Sequence, residues 1–97
     1  MHVEFAEKEL ETIYQTHESK KYGYEVIRGF VRKIELIKSF QTEHDFGNFA
    51  SLGYEKLRNY PKGTHSIRIN LQRRIIFNII KKKIVIIQIT ELSKHYQ

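Results

Sequence analysis

The sequence predicts an α+β fold in which an N-terminal strand and a helical hairpin pack on one face of a twisted, mainly antiparallel sheet of four to five strands. Three observations lead there. Two segments of 3.6-residue periodicity follow one another in the first half. The second half alternates, or runs continuously apolar, over strand-length stretches separated by turn residues. Helices and strands are thus segregated along the chain rather than interleaved, which favours a layer of helices on an antiparallel sheet over a parallel α/β fold. At 97 residues the chain is the usual size of one domain, spanning 1–97.

In chain order, His2 to Phe5 alternates and predicts a short first strand. Glu7 to about Gln15 predicts a helix, with Leu10, Ile13, Tyr14 and His17 on one side and Glu7, Glu9 and Glu11 in the early turns, where acid complements the helix dipole. Ser19 to Gly23 connects it to a second helix over Glu25 to about Phe40. There Ile27, Phe30, Val31, Ile34, Ile37 and Phe40 form one apolar stripe opposite Arg28, Arg32 and Glu35. Gly29 weakens that helix by about 1 kcal/mol against alanine, and its small size is expected to let the two helices approach closely.

Gln41 to Gly53 is irregular, with Phe46, Phe49 and Leu52 expected to tuck inward. Tyr54 to Arg58 predicts a strand with Tyr54, Lys56 and Arg58 on one side and Glu55 and Leu57 on the other. The loop Asn59-Tyr60-Pro61-Lys62-Gly63 follows, Pro61 fixing one backbone angle and Gly63 able to take a positive φ. Ser66 to Asn70 alternates, with Ile67 and Ile69 on one face and Ser66, Arg68 and Asn70 on the other. After a turn at Leu71 and Gln72, Arg74 opens the run Ile75 to Ile80. Lys81, Lys82 and Lys83 turn it into Ile84 to Thr90. These last two strands are apolar on both faces, so they belong in the middle of the sheet.

Composition narrows the function. Residues 1–50 hold seven Lys/Arg against nine Asp/Glu, and residues 51–97 hold ten against two, so a formal charge of +6 arises from a half at −2 and a half at +8. A basic field confined to one half suits a polyanion, nucleic acid first or else an acidic protein. No basic amphipathic helix points to a membrane surface. There is no cysteine, which excludes disulfides and thiolate metal sites and fits a reducing cytoplasm. The first ten residues lack an apolar core of signal-peptide length, and no apolar run is long enough to span a bilayer, so a cytoplasmic location is expected. His2, His17 and His44 stand at no ligand spacing, and neither a metal nor another cofactor is expected.

Within the basic half, Arg68 and Arg74 fall on neighbouring strands. If both point to the uncovered face they form a bidentate clamp for a phosphate; otherwise they solvate a strand surface. Arg58, just before the loop, and Lys56 would extend the clamp. Lys81, Lys82 and Lys83 either guard a hairpin tip against edge pairing or track phosphates, and Lys62 and Arg73 add further charge for a polyanion. His95 is suited by its near-neutral pKa to act as general acid or base, with Tyr96 as a stacking or proton-handling neighbour; the alternative is an uncommitted polar tail. His65 shares the phase of Ile67 and Ile69 and is expected to face the core.

The run KGTHSIRINLQRRIIF resembles the strand-turn-strand signature of the RelE/ParE toxin superfamily, in particular its HigB-like branch. Leu57-Arg58-Asn59 stands at a leucine-lysine-glycine element, and Lys62-Gly63, His65, Ser66-Ile67-Arg68-Ile69-Asn70 and Arg74-Ile75-Ile76-Phe77 match the rest. The sequence departs from the pattern at Arg58 and Asn59, and at its end, which reads Lys94-His95-Tyr96-Gln97 rather than Asp-Tyr-His. The resemblance implies a toxin of a bacterial type II toxin–antitoxin pair. It implies a ribosome-dependent endoribonuclease that cleaves mRNA in the A site without a metal, and a cognate antitoxin partner. ParE-like inhibition of DNA gyrase and a non-catalytic nucleic-acid-binding domain are the alternatives. Arg68, Arg74, Arg58 and His95 are then the expected catalytic residues.

Overall fold

The computed structural model describes residues 1–94, and His95 and Tyr96 lie outside them. Strand β1 (His2–Phe5) leads into helices α1 (Lys8–Thr16) and α2 (Tyr24–Ser39). Two short 3-10 turns, Glu43–Asn48 and Ala50–Leu52, precede β2 (Glu55–Lys56), β3 (Thr64–Arg68), β4 (Arg73–Lys81) and β5 (Val85–Lys94). The five strands form one open sheet in the order β1-β5-β4-β3-β2, with β1 parallel to β5 and every other pair antiparallel. The continuously apolar strands β4 and β5 take inner positions, as expected of strands buried on both sides.

One core joins the helices to one face of this sheet. Leu10 and Ile13 of α1 and Ile27, Phe30, Ile34 and Ile37 of α2 meet Ile67, Ile75, Phe77, Ile87, Ile89 and Leu92. Because side chains alternate across a strand, Ser66, Arg68, Arg74 and Asn78 point to the other face, which α1 and α2 leave uncovered and which Gly53, after the second 3-10 turn, borders at Arg74. Fully burying each large core side chain contributes about 1.5–3 kcal/mol, so this layer holds the sheet's shape.

Three local expectations are corrected. Gly29 serves the contact between α2 and β3's continuation, not the contact between helices: a methyl group there would collide with the Cγ2 methyl of Ile69. Phe49 does not tuck in; it is exposed and stacks on Phe40 at 5.8 Å between centroids. The strand expected over Tyr54–Arg58 shrinks to Glu55–Lys56. In contrast, β5 runs four residues past Thr90, through a bulge. Ile76 pairs with Glu91 and Phe77 with Ile89, leaving Thr90 unpaired, and its hydroxyl donates to the Ile76 carbonyl at 3.1 Å. The extra residue shifts the alternation so that Leu92, three positions after Ile89, still faces the core.

Candidate functional site: an arginine pair on the uncovered face

The β3–β4 hairpin places Arg68 directly opposite Arg74, so both side chains emerge on the uncovered face. Asn70 fixes the turn between them. Its side-chain oxygen accepts from the amides of Gln72 at 2.8 Å and Arg73 at 2.9 Å. Like charges in register repel, and the surroundings divide the two arginines into different roles.

Arg74 is only 5 % exposed. Its Nε donates to Ser66 Oγ at 2.8 Å, its Nη2 donates to the Gly53 carbonyl, and the same Nη2 lies 3.6 Å from Glu55 Oε1. Burial pushes its pKa below the ordinary arginine value; Glu55 opposes that shift and Arg68 adds to it. Arg68 is exposed and enters no ion pair among the described residues. Its guanidinium lies against Gly53, whose φ of +54° is the left-handed region that favours glycine, and a Cβ on Gly53 would sit 3.4 Å from Arg68 Nε, Cζ and Nη2. Gly53 therefore supplies an acceptor to one guanidinium and open space to the other.

The remaining predicted residues distribute around this pair. Glu55 pairs with Ser66 across β2–β3 and so shares the arginine face, whereas Lys56 pairs with His65 and faces the helical side. Arg73 also points to the helical side, its guanidinium 5.3 Å from the Tyr22 ring centroid. Arg58 is exposed in the loop after β2. The amide of Leu57, just before it, bonds the Thr64 carbonyl, which puts this loop about 13 Å along β3 from Arg68. Lys62 is in that loop. Lys81, Lys82 and Lys83 occupy the far hairpin end, about 23 Å along β4 from Arg74, and Lys81 is paired with Glu43 at 2.8 Å. His65 is buried as expected, stacked on Phe77 and Tyr54.

Three residues of the site were missed by sequence reasoning: Glu55, Ser66 and Gly53. Glu55 carried a signal, being one of two acids among twelve charged residues in 51–97. The exposed carboxylate, the exposed guanidinium of Arg68 and the buried guanidinium between them form a charged surface that can accept a proton at one point and neutralise an anion at the next. Among the described residues no three His, Cys, Asp or Glu side chains are placed to share a metal ion.

Residues 3–91 match the family model of the HigB-like toxin, described as a RelE-like toxin of the type II toxin–antitoxin system HigB. The chain belongs to the HigB-like toxin family. No curated protein matches this HigB-like chain in sequence. Among solved structures it is similar to the YoeB/ParE toxin from Agrobacterium tumefaciens (18 % identity, 99 % of this chain and 100 % of that one, TM-score 0.59). It is also similar to the YoeB–YefM complex from Staphylococcus aureus (21 % identity, 99 % and 98 %, TM-score 0.61). A third is YafQ from E. coli strain BL21(DE3) (11 % identity, 95 % and 90 %, TM-score 0.59). These likenesses carry the fold: the HigB-like chain has the helix-backed five-stranded sheet of YoeB- and YafQ-type toxins. No helix among the described residues is long and apolar enough to cross a membrane.

Proposed function

We propose that this HigB-like toxin is an endoribonuclease that cuts translated mRNA in the ribosomal A site. The observation that carries this reading is the juxtaposition, on one face, of an exposed guanidinium with no carboxylate partner among the described residues and an exposed carboxylate, bridged by Arg74. Strand scission by an internal nucleophile needs a base for the 2′-hydroxyl, charge stabilisation at phosphorus and an acid for the 5′-oxygen. Glu55 takes the 2′-hydroxyl proton as the 2′-oxygen bonds to phosphorus. Arg68 neutralises the charge that builds on the phosphoryl oxygens. As the P–O5′ bond breaks, His95 is assigned the proton donation, with Tyr96 beside it in sequence. The products are a 2′,3′-cyclic phosphate and a free 5′-hydroxyl. Arg74 acts as a positioning residue, orienting Glu55 and raising the positive potential behind Arg68. Lys56, Arg58, Lys62, Arg73 and Lys81 to Lys83 supply the wider basic field that holds RNA.

A cognate antitoxin is the partner. The family is defined by toxin–antitoxin pairs, and solved neighbours include the YoeB–YefM and DinJ–YafQ complexes. An antitoxin bearing acidic groups would answer the unpaired charge of Arg68.

Primer extension on a translated message, after induction in a bacterium, tests the reading. The parent chain is expected to produce cuts within the translated region, and Arg68→Ala and Glu55→Gln to abolish them. Growth arrest with intact mRNA and DNA breaks would instead identify a gyrase inhibitor. Cuts that persist undiminished in Glu55→Gln would remove the carboxylate from the mechanism.

A further inference from the structure

A cleft of about 620 Å3 opens on the helical side of the sheet, between the first 3-10 turn and the β2–β3 loop. It is separate from the arginine pair. Glu55 and Lys56 are consecutive on β2, and they point to opposite faces, Glu55 to Arg74 and Lys56 into this cleft. Lys62, Lys81, Tyr54 and His65 also line it. Lys81 is answered by Glu43, whereas Lys56 and Lys62 enter no ion pair among the described residues.

His65 gives the cleft its built character. The residue is 7 % exposed, and its Nδ1 lies 2.7 Å from the Tyr54 hydroxyl. In the tautomer in which the Tyr54 O–H donates to Nδ1, the ring hydrogen sits on Nε2. Nε2 has no protein partner among the described residues. Yet no fully buried side-chain nitrogen or oxygen among the described residues is left without one. Nε2 must therefore reach solvent, and the solvent His65 borders is the cleft. A nine-tenths-buried imidazole thus turns an unpartnered ring nitrogen, an N–H donor in that tautomer, toward a space walled by two ammonium groups that have no ion pair among the described residues.

We propose that this cleft is a second anion site that takes a phosphate group of RNA, held by Lys56, Lys62 and the Nε2–H of His65. Three donors lining one cleft suit the several oxygens of a phosphate better than the two of a carboxylate, and lysines bind phosphate as point charges. The sheet edge between this cleft and the arginine face is β2, only two residues long. A strand of RNA engaged at Glu55 can pass round that edge and place a neighbouring phosphate beside Lys56. The site holds substrate and does no chemistry. Its assignment to RNA rests on the nuclease reading; its affinity for phosphate does not.

NMR on the full chain separates the two. Inorganic phosphate and a 2′-O-methyl oligoribonucleotide, which cannot be cut, are each titrated while the His65 ring is observed. Both are expected to give a saturable shift at His65 Nε2. Both should also raise the pH midpoint of His65, whose charged neighbours are Lys56, Lys81 and Glu43 beside the Tyr54 hydroxyl. Lys56→Ala/Lys62→Ala, which leaves the Lys81–Glu43 pair in place, is expected to weaken both titrations about tenfold. For RNA it should also reduce the slope of log affinity against log salt by about 0.7 for each phosphate that the variant no longer neutralises. Where cleavage is measured, the same variant raises KM about tenfold with kcat held within about twofold, the mark of weakened uniform binding. No saturable His65 shift with phosphate overturns the site. Phosphate binding without oligoribonucleotide binding at His65, or a response to a poly-glutamate peptide alone, overturns its assignment to RNA. Because neither titration depends on cleavage, a chain that proves not to be a nuclease leaves the phosphate result standing or falling by itself.

Discussion

Replacing Arg74 by lysine, beside the same change at Arg68, separates a guanidinium that builds the site from one that works in it. Arg74 uses two nitrogens at once, Nε on Ser66 Oγ and Nη2 on the Gly53 carbonyl. A lysine ammonium is a single nitrogen on a flexible stem, so it can serve one of these acceptors and not both. The abandoned partner is costly where it is buried, and Ser66 is 0 % exposed. Removing one hydrogen bond from a charged donor costs about 1.5–3 kcal/mol. The Glu55 contact adds less than about 0.5 kcal/mol, because that carboxylate is half exposed and screened. A loss of about 2 kcal/mol lowers Tm by roughly 8–16 °C in a domain of this size. Arg68→Lys, at an exposed position, should stay within about 0.5 kcal/mol of the parent, roughly 2–4 °C in Tm. Thermal melts followed by circular dichroism read both. Cleavage should order them the other way: Arg68→Lys loses the planar fork aimed at the phosphoryl group, whereas Arg74→Lys keeps part of its activity well below its lowered Tm. An Arg74→Lys chain that melts within about 3 °C of the parent, or below which Arg68→Lys melts, would refute the division of labour.

Gly29→Ala places a methyl group against Ile69 Cγ2. The overpacking cost of about 1–3 kcal/mol exceeds the helix-propensity gain of about 1 kcal/mol, so Tm should fall in a thermal melt; a rise would mean that β3's continuation yields freely. Gly53→Ala adds strain of about 1–2 kcal/mol at a positive φ and a methyl group beside Arg68. Gly53→Asn, which tolerates that φ better, should recover part of the Tm but not the cleavage measured by primer extension. Burial, and then the nearby Lys56, hold the His65 pKa below its ordinary 6.5. The folded chain thus binds fewer protons than the unfolded one below about pH 6.5, so stability present above that pH is lost as pH falls through the folded midpoint. Melts between about pH 7.5 and 5.5 should show the decline, and His65→Phe should flatten it.

The parts of the fold written in periodicity were legible. Both helices lie within a residue or so of their expected bounds, and β1 matches fully, because an apolar stripe or an alternation is a direct image of one buried face. Legibility failed where tertiary contacts decide. The Tyr54–Arg58 alternation is real, yet only Glu55 and Lys56 pair with β3, since the loop closes back through Leu57 and Thr64. The bulge at Thr90 reverses the alternation midway, so a strict period-two reading stops there. Gly29 announced a close approach but not its partner, which is Ile69.

The site shows the same limit in sharper form. Alternation and a short turn placed Arg68 and Arg74 on neighbouring strands but left open whether they share a face, which the β3–β4 register decides, and which of them is buried. That is settled by Gly53 and Glu55, which reach the arginine face while Leu52 is buried in the core and the half-buried Tyr54 stacks on Phe46 and His65. The apolar residues of an irregular stretch thus deliver a carbonyl and a carboxylate to Arg74. Two opposed guanidiniums repel, and this arrangement relieves only one of them. Arg74 receives both negative ends, and Arg68 is left exposed with no ion pair among the described residues. On the proposed reading, a phosphate arriving at Arg68 would supply a counter-charge, and the repulsion between the two guanidiniums would become a preference for that anion.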